Sequence, residues 1–545
     1  MKYIRRIGGM LLLALAGYQS AFADVTKADN SDSLDLNSAW VGGVVPSGTD
    51  SVFFDNTLSS TSYAFGYEGN LSMARIYNPA GTTAKNITIS GPGLLSFYGQ
   101  GYNGTTQANN PYFLDISQAA AGSSLTINSN VQLMNVGSGN VAYYMGVNAG
   151  SSITLSGTIT KNGAGTISLN KSGAGTVNFT GFSNQAYGLD VQSGTLNVSG
   201  TFYYNASWNV MGSSNQTGVI NVKNGGFLGT DTTGDVTLAG NTNATSILNI
   251  ENGGTFKAAN LYLLRNSNAN AGRNAIVNQN GGTVNLYGGT LGIVVGTANA
   301  GNSTATYNLN GGTLNLSTVT LGGGGVLNLN GGTIKLLPTA SGNLFQADTG
   351  TGGAGKVVIQ TNGAVIDTNG RTSTSALAMQ HDTLGPVKDG GLTVQGGGTL
   401  ILSSLNSYTG DTVISAGTTL NVGGAASLGL GNVIVDGILV LNNGTAISAA
   451  SVLNFNTGSS IQLNYTGAGM QIAGLIMNGV GLNAGTYDVS ALEGLGITNF
   501  SGSGSLIVLN TIPEPSAAIL FLAGIGLLIS LKRLSRRNAA LVMKL

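Results

Sequence analysis

One phrase recurs through the middle of this chain. It reads VKNGGFL around Asn224, IENGGTF around Asn252, NQNGGTV around Asn280, NLNGGTL around Asn310 and NLNGGTI around Asn330, with steps of 28, 28, 30 and 20 residues. Recurrence at that interval is the mark of a solenoid or array, in which each unit is one supersecondary element that cannot bury its apolar face alone. Around each phrase run short alternating stretches such as Leu248-Asn-Ile and Val284-Asn-Leu, apolar on one face at a period of two. Asparagine and glycine tolerate positive φ, so Asn-Gly-Gly predicts a turn between strands. No stretch between residues 24 and 510 keeps a helical period free of glycine. The body is therefore expected to be all-β.

Composition narrows the choice. Glycine supplies 87 of 545 residues, but without a three-residue period and with only eight prolines, so a collagen helix is excluded. Charged residues are only 8% while hydrophobic ones reach 42%, which excludes a charged disordered tail. A propeller needs longer blades with regular Trp or His, and Trp40 and Trp208 are the only tryptophans. A right-handed parallel β-helix fits a repeat of 20 to 30 residues, small apolar inward positions and a recurring turn asparagine that can stack as a ladder. Residues 60–145 are less regular and rich in aromatics, among them Tyr67, Tyr77, Tyr112, Tyr143 and Tyr144, and suit an N-terminal cap.

Residues 389–422 resemble the autotransporter-associated β-strand repeat at Gly398, Thr399, Leu400, Asn406, Tyr408, Gly410, Ala416, Gly417, Thr418 and Leu420, and residues 171–198 form a weaker copy. Residues 38–56 resemble the N-terminal segment that accompanies such repeats. The resemblance implies a β-helix of the pectin-lyase type. A self-translocating autotransporter needs a barrel of at least eight strands of about ten residues. Only 35 residues follow Asn510, so export by another route is expected.

The two ends read as addresses. Lys2, Arg5 and Arg6 precede an apolar run from Ile7 to Tyr18 and an Ala21-Phe22-Ala23 site, the pattern of a signal peptide cleaved before Asp24. At the other end Pro513-Glu514-Pro515 precedes an apolar run, Ala517 to Leu531, and then Lys532, Arg533, Arg536 and Arg537. Fifteen helical residues span about 22 Å, enough for a bilayer only if the flanks snorkel. Pro-Glu-Pro, a short apolar helix and an arginine cluster together resemble the PEP-CTERM sorting domain. That resemblance implies transient anchoring in the inner membrane of a Gram-negative bacterium, processing by an exosortase, and association with exopolysaccharide.

Chemistry is sparse. With no cysteine and one histidine, disulfides, thiol catalysis, Cys-ligated metals and His-rich metal sites are excluded. No cofactor is expected. Residues 24–510 carry 13 basic and 20 acidic side chains, a net of −7, without the basic stripe that nucleic acid requires. The run from Gly350 to Lys356 approaches a phosphate loop but continues as a strand, and Gly479 to Ala484 fits a dinucleotide fingerprint equally loosely. His381 reads as a surface histidine that its neighbour Asp382 cannot orient. Asp29, Asp32 and Asp35 lack the spacing of a calcium loop. The best catalytic constellation is Asp231 and Asp235 with Arg265 and Arg273 one repeat later.

The reading is thus of five segments: a signal peptide (1–23), a cap with first rungs (24–150), an NGG-repeat β-helix (151–388), the autotransporter-associated repeat with final rungs (389–510), and a sorting signal with a transmembrane helix (511–545). Its function is expected to be that of an exported, non-catalytic surface or matrix protein touching exopolysaccharide. The alternative is a secreted polysaccharide lyase or hydrolase, which would need carboxylates converging in a groove.

Overall fold

The computed structural model describes residues 24–137, 139–204, 209–212, 215–230, 234–264, 272–293, 303–349 and 354–512, the side chains of 184–187 and 209–211 excepted. Short strands dominate throughout, and they pair in parallel with strands one repeat away in sequence, the arrangement of a β-solenoid. The chain packs as two compact units divided between Gly234 and Asp235.

In the first unit each rung contributes a strand to three faces. One face stacks Asn86–Ser90, Ser124–Ile127, Ser152–Leu155, Thr176–Phe179, Gly194–Val198 and Thr217–Val222 in unbroken register. Alternation turns one residue of every two inward, so Ile87, Leu125, Ile153, Val177, Leu196 and Ile220 form one buried column. Each such side chain contributes roughly 1.5–3 kcal/mol by leaving water, but only because a like residue lies about 4.8 Å above and below it. A second face begins as early as Asp24–Thr26, which pairs with Ser51–Phe53 and through it with Arg75–Tyr77. The aromatic-rich stretch proposed as a cap is therefore built of rungs. Phe65, Tyr67, Phe97, Phe113 and Tyr143 fill its core, and they hide the period-two pattern because large rings occupy positions that Val or Ile take later.

The second unit repeats the plan. Leu248, Val277, Tyr307, Leu327, Val357 and Met379 stack in one buried column. On the next face Phe256, Val284, Leu314, Ile334, Ile366, Val394 and Ile414 do the same. A six-residue helix, Val489–Gly494, follows near the end, where Asp488 Oδ1 accepts from the Ala491 amide at 2.7 Å. Too short to show a period, it escaped the sequence reading.

The NGG phrases behave in two ways. At Asn280 and Asn310 the strands Asn274–Leu286 and Thr304–Leu316 run straight through the phrase with a register shift, so it bends the strand instead of ending it. At Asn252 and Asn330 the strand ends. The second glycine is what the bend requires: Gly312 has φ +71°, and a Cβ there would lie 2.2 Å from the Gly282 carbonyl of the preceding rung. Asn310 Nδ2 donates to Asn280 Oδ1 at 2.9 Å, and Asn330 Nδ2 to Asn310 Oδ1 at 3.3 Å. A tighter ladder lies two or three residues upstream, where Asn278, Asn308 and Asn328 donate to Asn249, Asn278 and Asn308 at 2.9, 2.8 and 2.7 Å.

Candidate functional site

The sorting and processing residues, Ala21, Ala23, Pro513, Glu514, Pro515, Arg536 and Arg537, lie outside the described residues, as do Asp231 and Arg265. Of the proposed catalytic constellation, Asp235 Oδ1 accepts from Asn260 Nδ2 at 2.9 Å, whereas Arg273 is buried, with burial pulling its pKa down. An arginine inside the core cannot serve as a base in an open groove. Among the described residues no group of three or more His, Asp or Glu could hold a metal, and no helix is long and apolar enough to cross a membrane. Asp29 accepts from the Tyr63 hydroxyl at 2.5 Å. Asp35 faces elsewhere: it accepts from Ser33 Oγ and from the amides of Glu68 and Gly69, contacts that hold its carboxyl down at about 2. Lys356 opens a strand, and Val480–Gly481 pairs antiparallel with Ile476 and Met477, so neither glycine-rich phrase precedes a helix.

The densest polar centre surrounds the Asn-x-Tyr-x-Gly turn. Beyond Met379–His381 the face that carries the Leu248–Met379 column has no regular strand, and the turn residues 404–410 take its place. Asn406 joins three rungs: its Oδ1 accepts from the Met379 amide at 2.8 Å, while its Nδ2 donates to Ser404 O at 3.1 Å and Ser427 O at 2.6 Å. Tyr408 is fully buried, its hydroxyl 2.7 Å from Thr412 Oγ1, and burial pushes its pKa up to about 12. Leu400 and Leu420 stack in register beneath. The motif residues thus replace strand pairing with side-chain bonds.

His381 corrects the sequence reading. It is half-buried, and its Nδ1 lies 2.8 Å from Oδ2 of Asp389, not of its neighbour Asp382, which accepts from Gln360 Nε2 instead. Asp389 is itself buried and accepts from the amides of Thr409 (2.7 Å), Gly410 (2.8 Å) and Gly391 (2.9 Å). Burial alone would raise its pKa, but those amides and His381 together hold it below the usual carboxylate range. Thr409 Oγ1 sits 3.2 Å from His381 Nδ1. A nucleophilic triad places carboxylate and hydroxyl on opposite ring nitrogens. Here both meet Nδ1, so the cluster anchors a loop and does not activate the threonine. No sequence spacing announces it, because its members come from two successive rungs, although Asp389 opens the better repeat copy and Thr409 lies inside its turn.

A cavity of about 250 Å³ opens in the first unit, lined by Thr105, Thr106, Gln107, Asn109, Asn135 and Asn140 among others. Its lining holds amides and hydroxyls but no titratable side chain. It can bind, but it offers no acid or base. Half-buried outer positions on the face that carries the Ile87–Ile220 column are likewise neutral: Asn197 and Asn221 donate to Asn178 and Asn197, each at 2.8 Å.

Comparison with known proteins adds one finding. A family model described as passenger-associated-transport-repeat matches residues 159–198 and 392–422, the regions of the two copies read from the sequence. No curated protein and no solved structure matches the chain. The matched segments are passenger-type repeats, the kind carried by exported, autotransporter-like surface proteins.

Proposed function

We propose that this chain is an exported, non-catalytic surface or matrix protein whose solenoid presents a neutral hydrogen-bonding surface to exopolysaccharide. The observation that carries the reading is the passenger-type repeat at residues 159–198 and 392–422, each copy forming successive rungs of a β-solenoid. The amide ladders support it, since rows of half-buried Asn at about 4.8 Å intervals make many weak contacts, each contributing about 1 kcal/mol net or less. Such contacts act multivalently. Export through the signal peptide, a transient hold by the C-terminal apolar run, and release by an exosortase-type enzyme acting at Pro513-Glu514-Pro515 complete the proposal.

Mass spectrometry of the surface-exposed protein tests it. The expected product begins at Asp24 and lacks Arg536 and Arg537, and changing Pro513, Glu514 and Pro515 together to alanine leaves the protein in the inner membrane. Surface protein with an intact C-terminus refutes the sorting step. Release of new reducing ends or unsaturated products from polysaccharides by the purified chain refutes the non-catalytic role.

A further inference from the structure

In the first unit one outward sheet face differs from the neutral ladders. Tyr112, Tyr144, Asn170 and Asp190 occupy one outward column, each one rung beyond the last. Asp115, Gly146, Ser172 and Gln192 follow in the adjacent outward column. The two tyrosine rings lie along the solenoid, since the Tyr112 hydroxyl is 3.3 Å from Ser172 Oγ and the Tyr144 hydroxyl 3.3 Å from Gln192 Nε2, each two rungs away. Gly146 makes room for this: a Cβ there would stand 2.9 Å from the Tyr112 ring and 2.7 Å from Asp115 Oδ1. The rings are half-buried with centroids 5.3 Å apart, and a second aromatic pair, Phe53 and Tyr77, continues the strip on earlier rungs.

Two carboxylates, Asp115 and Asp190, lie beside the rings. Asn170, between Tyr144 and Asp190 in the column, is 94% covered, and its buried Oδ1 lies beneath a ligand's reach. Asp190 is bonded to Gln192 Nε2 at 3.0 Å, and burial pushes its carboxyl up to about 6. Asp115 is compensated by Arg75 at 3.7 Å, whose guanidinium stacks on Tyr77 at 4.3 Å from the ring centroid. From these observations we infer that the strip Tyr112–Tyr144–Asp190 is a binding site for a neutral polysaccharide, with sugar rings stacked on the tyrosines and sugar hydroxyls donating to Asp190.

The chemistry selects that occupant. Aromatic faces with a few fixed polar groups suit a ligand that is apolar on its ring faces and hydroxylated at its edges. An acidic polymer would bring its carboxylates against those of Asp115 and Asp190, which is repulsive. Three rung spacings separate Tyr112 from Asp190, about 14 Å, so the strip spans several sugar units. The same distance separates Asp115 from Asp190 along the solenoid, beyond the roughly 6.5–9.5 Å of an inverting hydrolase pair, so the strip holds and does not cleave.

The inference rests on the surface-protein reading, and its test is independent of cellular location. The purified full chain is run on native gels containing hydroxyethylcellulose, laminarin, dextran or polygalacturonate, and the melting temperature of each variant is recorded. Retardation by at least one neutral polymer is expected, with affinity falling about tenfold or more in Tyr112→Ala/Tyr144→Ala and retained within about threefold in Tyr112→Phe/Tyr144→Phe. If the double alanine variant does not fold, the single variants Tyr112→Ala and Tyr144→Ala decide. No retardation by any neutral polymer, stronger retardation by polygalacturonate, or unchanged binding in Tyr112→Ala/Tyr144→Ala overturns the inference. A chain that binds but is never surface-exposed overturns the proposed function instead.

Discussion

Asp389 and Asp190 are both covered carboxylates, and the fold drives them in opposite directions. Asp389 is ringed by donors and kept ionised, whereas Asp190 has one weak donor and is pushed up to about 6 by burial. For Asp190 the unfolded pKa lies below the folded one, so its ionisation destabilises the fold fully above about pH 6 and progressively less as pH falls toward 4. Asp190→Asn should therefore raise stability at neutral pH by about 1–2 kcal/mol after allowance for solvent screening, with the gain shrinking at acid pH. Thermal melts across that range check it, and a pH-independent effect contradicts the assignment. Asp389→Ala should act the other way. It strands the amides of Thr409, Gly410 and Gly391 and should cost about 3 kcal/mol or more in urea unfolding. Neither behaviour was legible in the sequence, where both residues are isolated aspartates. Asp389 meets Thr409 and Gly410 from the next rung, about 20 residues away, and Asp190 lies in register with Asn170 of the rung before it.

Strands and turns were more legible. Alternation identified Leu248-Asn-Ile and Val284-Asn-Leu as strand segments, and both lie in register where a solenoid requires. The repeat copy at 389–422 pointed to Asn406, which bonds to the rungs on either side, and to Tyr408, whose buried hydroxyl meets Thr412 four residues on. The bend at Asn280 and Asn310 was not legible, because the same phrase ends a strand at Asn252 and Asn330 and only the neighbouring rung decides. Two substitutions separate the ladder from the bend. Asn308→Ala removes both a donor to Asn278 and an acceptor for Asn328, and should cost about 1–2 kcal/mol by denaturant midpoint. Gly312→Ala faces both a positive φ and the Gly282 carbonyl, so it should cost more than the ladder substitution. An equal or smaller loss would show that the bend relaxes easily.

At the scale of the whole chain, few charges and a net of −7 between residues 24 and 510 leave neutral contacts to dominate. Retardation by a neutral polysaccharide should change by less than about twofold from about 0.05 to 0.5 M salt, and a steep salt dependence would point to an ionic partner. The short step between Asn310 and Asn330 has a different consequence. Residues 311–330 contain one strand segment for each of three faces: residues 313–316, Thr318–Leu321 and Gly325–Leu329. Excising that block joins Asn310 to Gly331, restores the same phrase, and leaves strands on every face with partners one rung away. The deletion should fold and melt cooperatively, whereas removal of residues 311–320 alone should not. Loss or gain of that block would then yield folded chains that differ by one whole rung, making the number of rungs itself a trait on which selection can act in single steps.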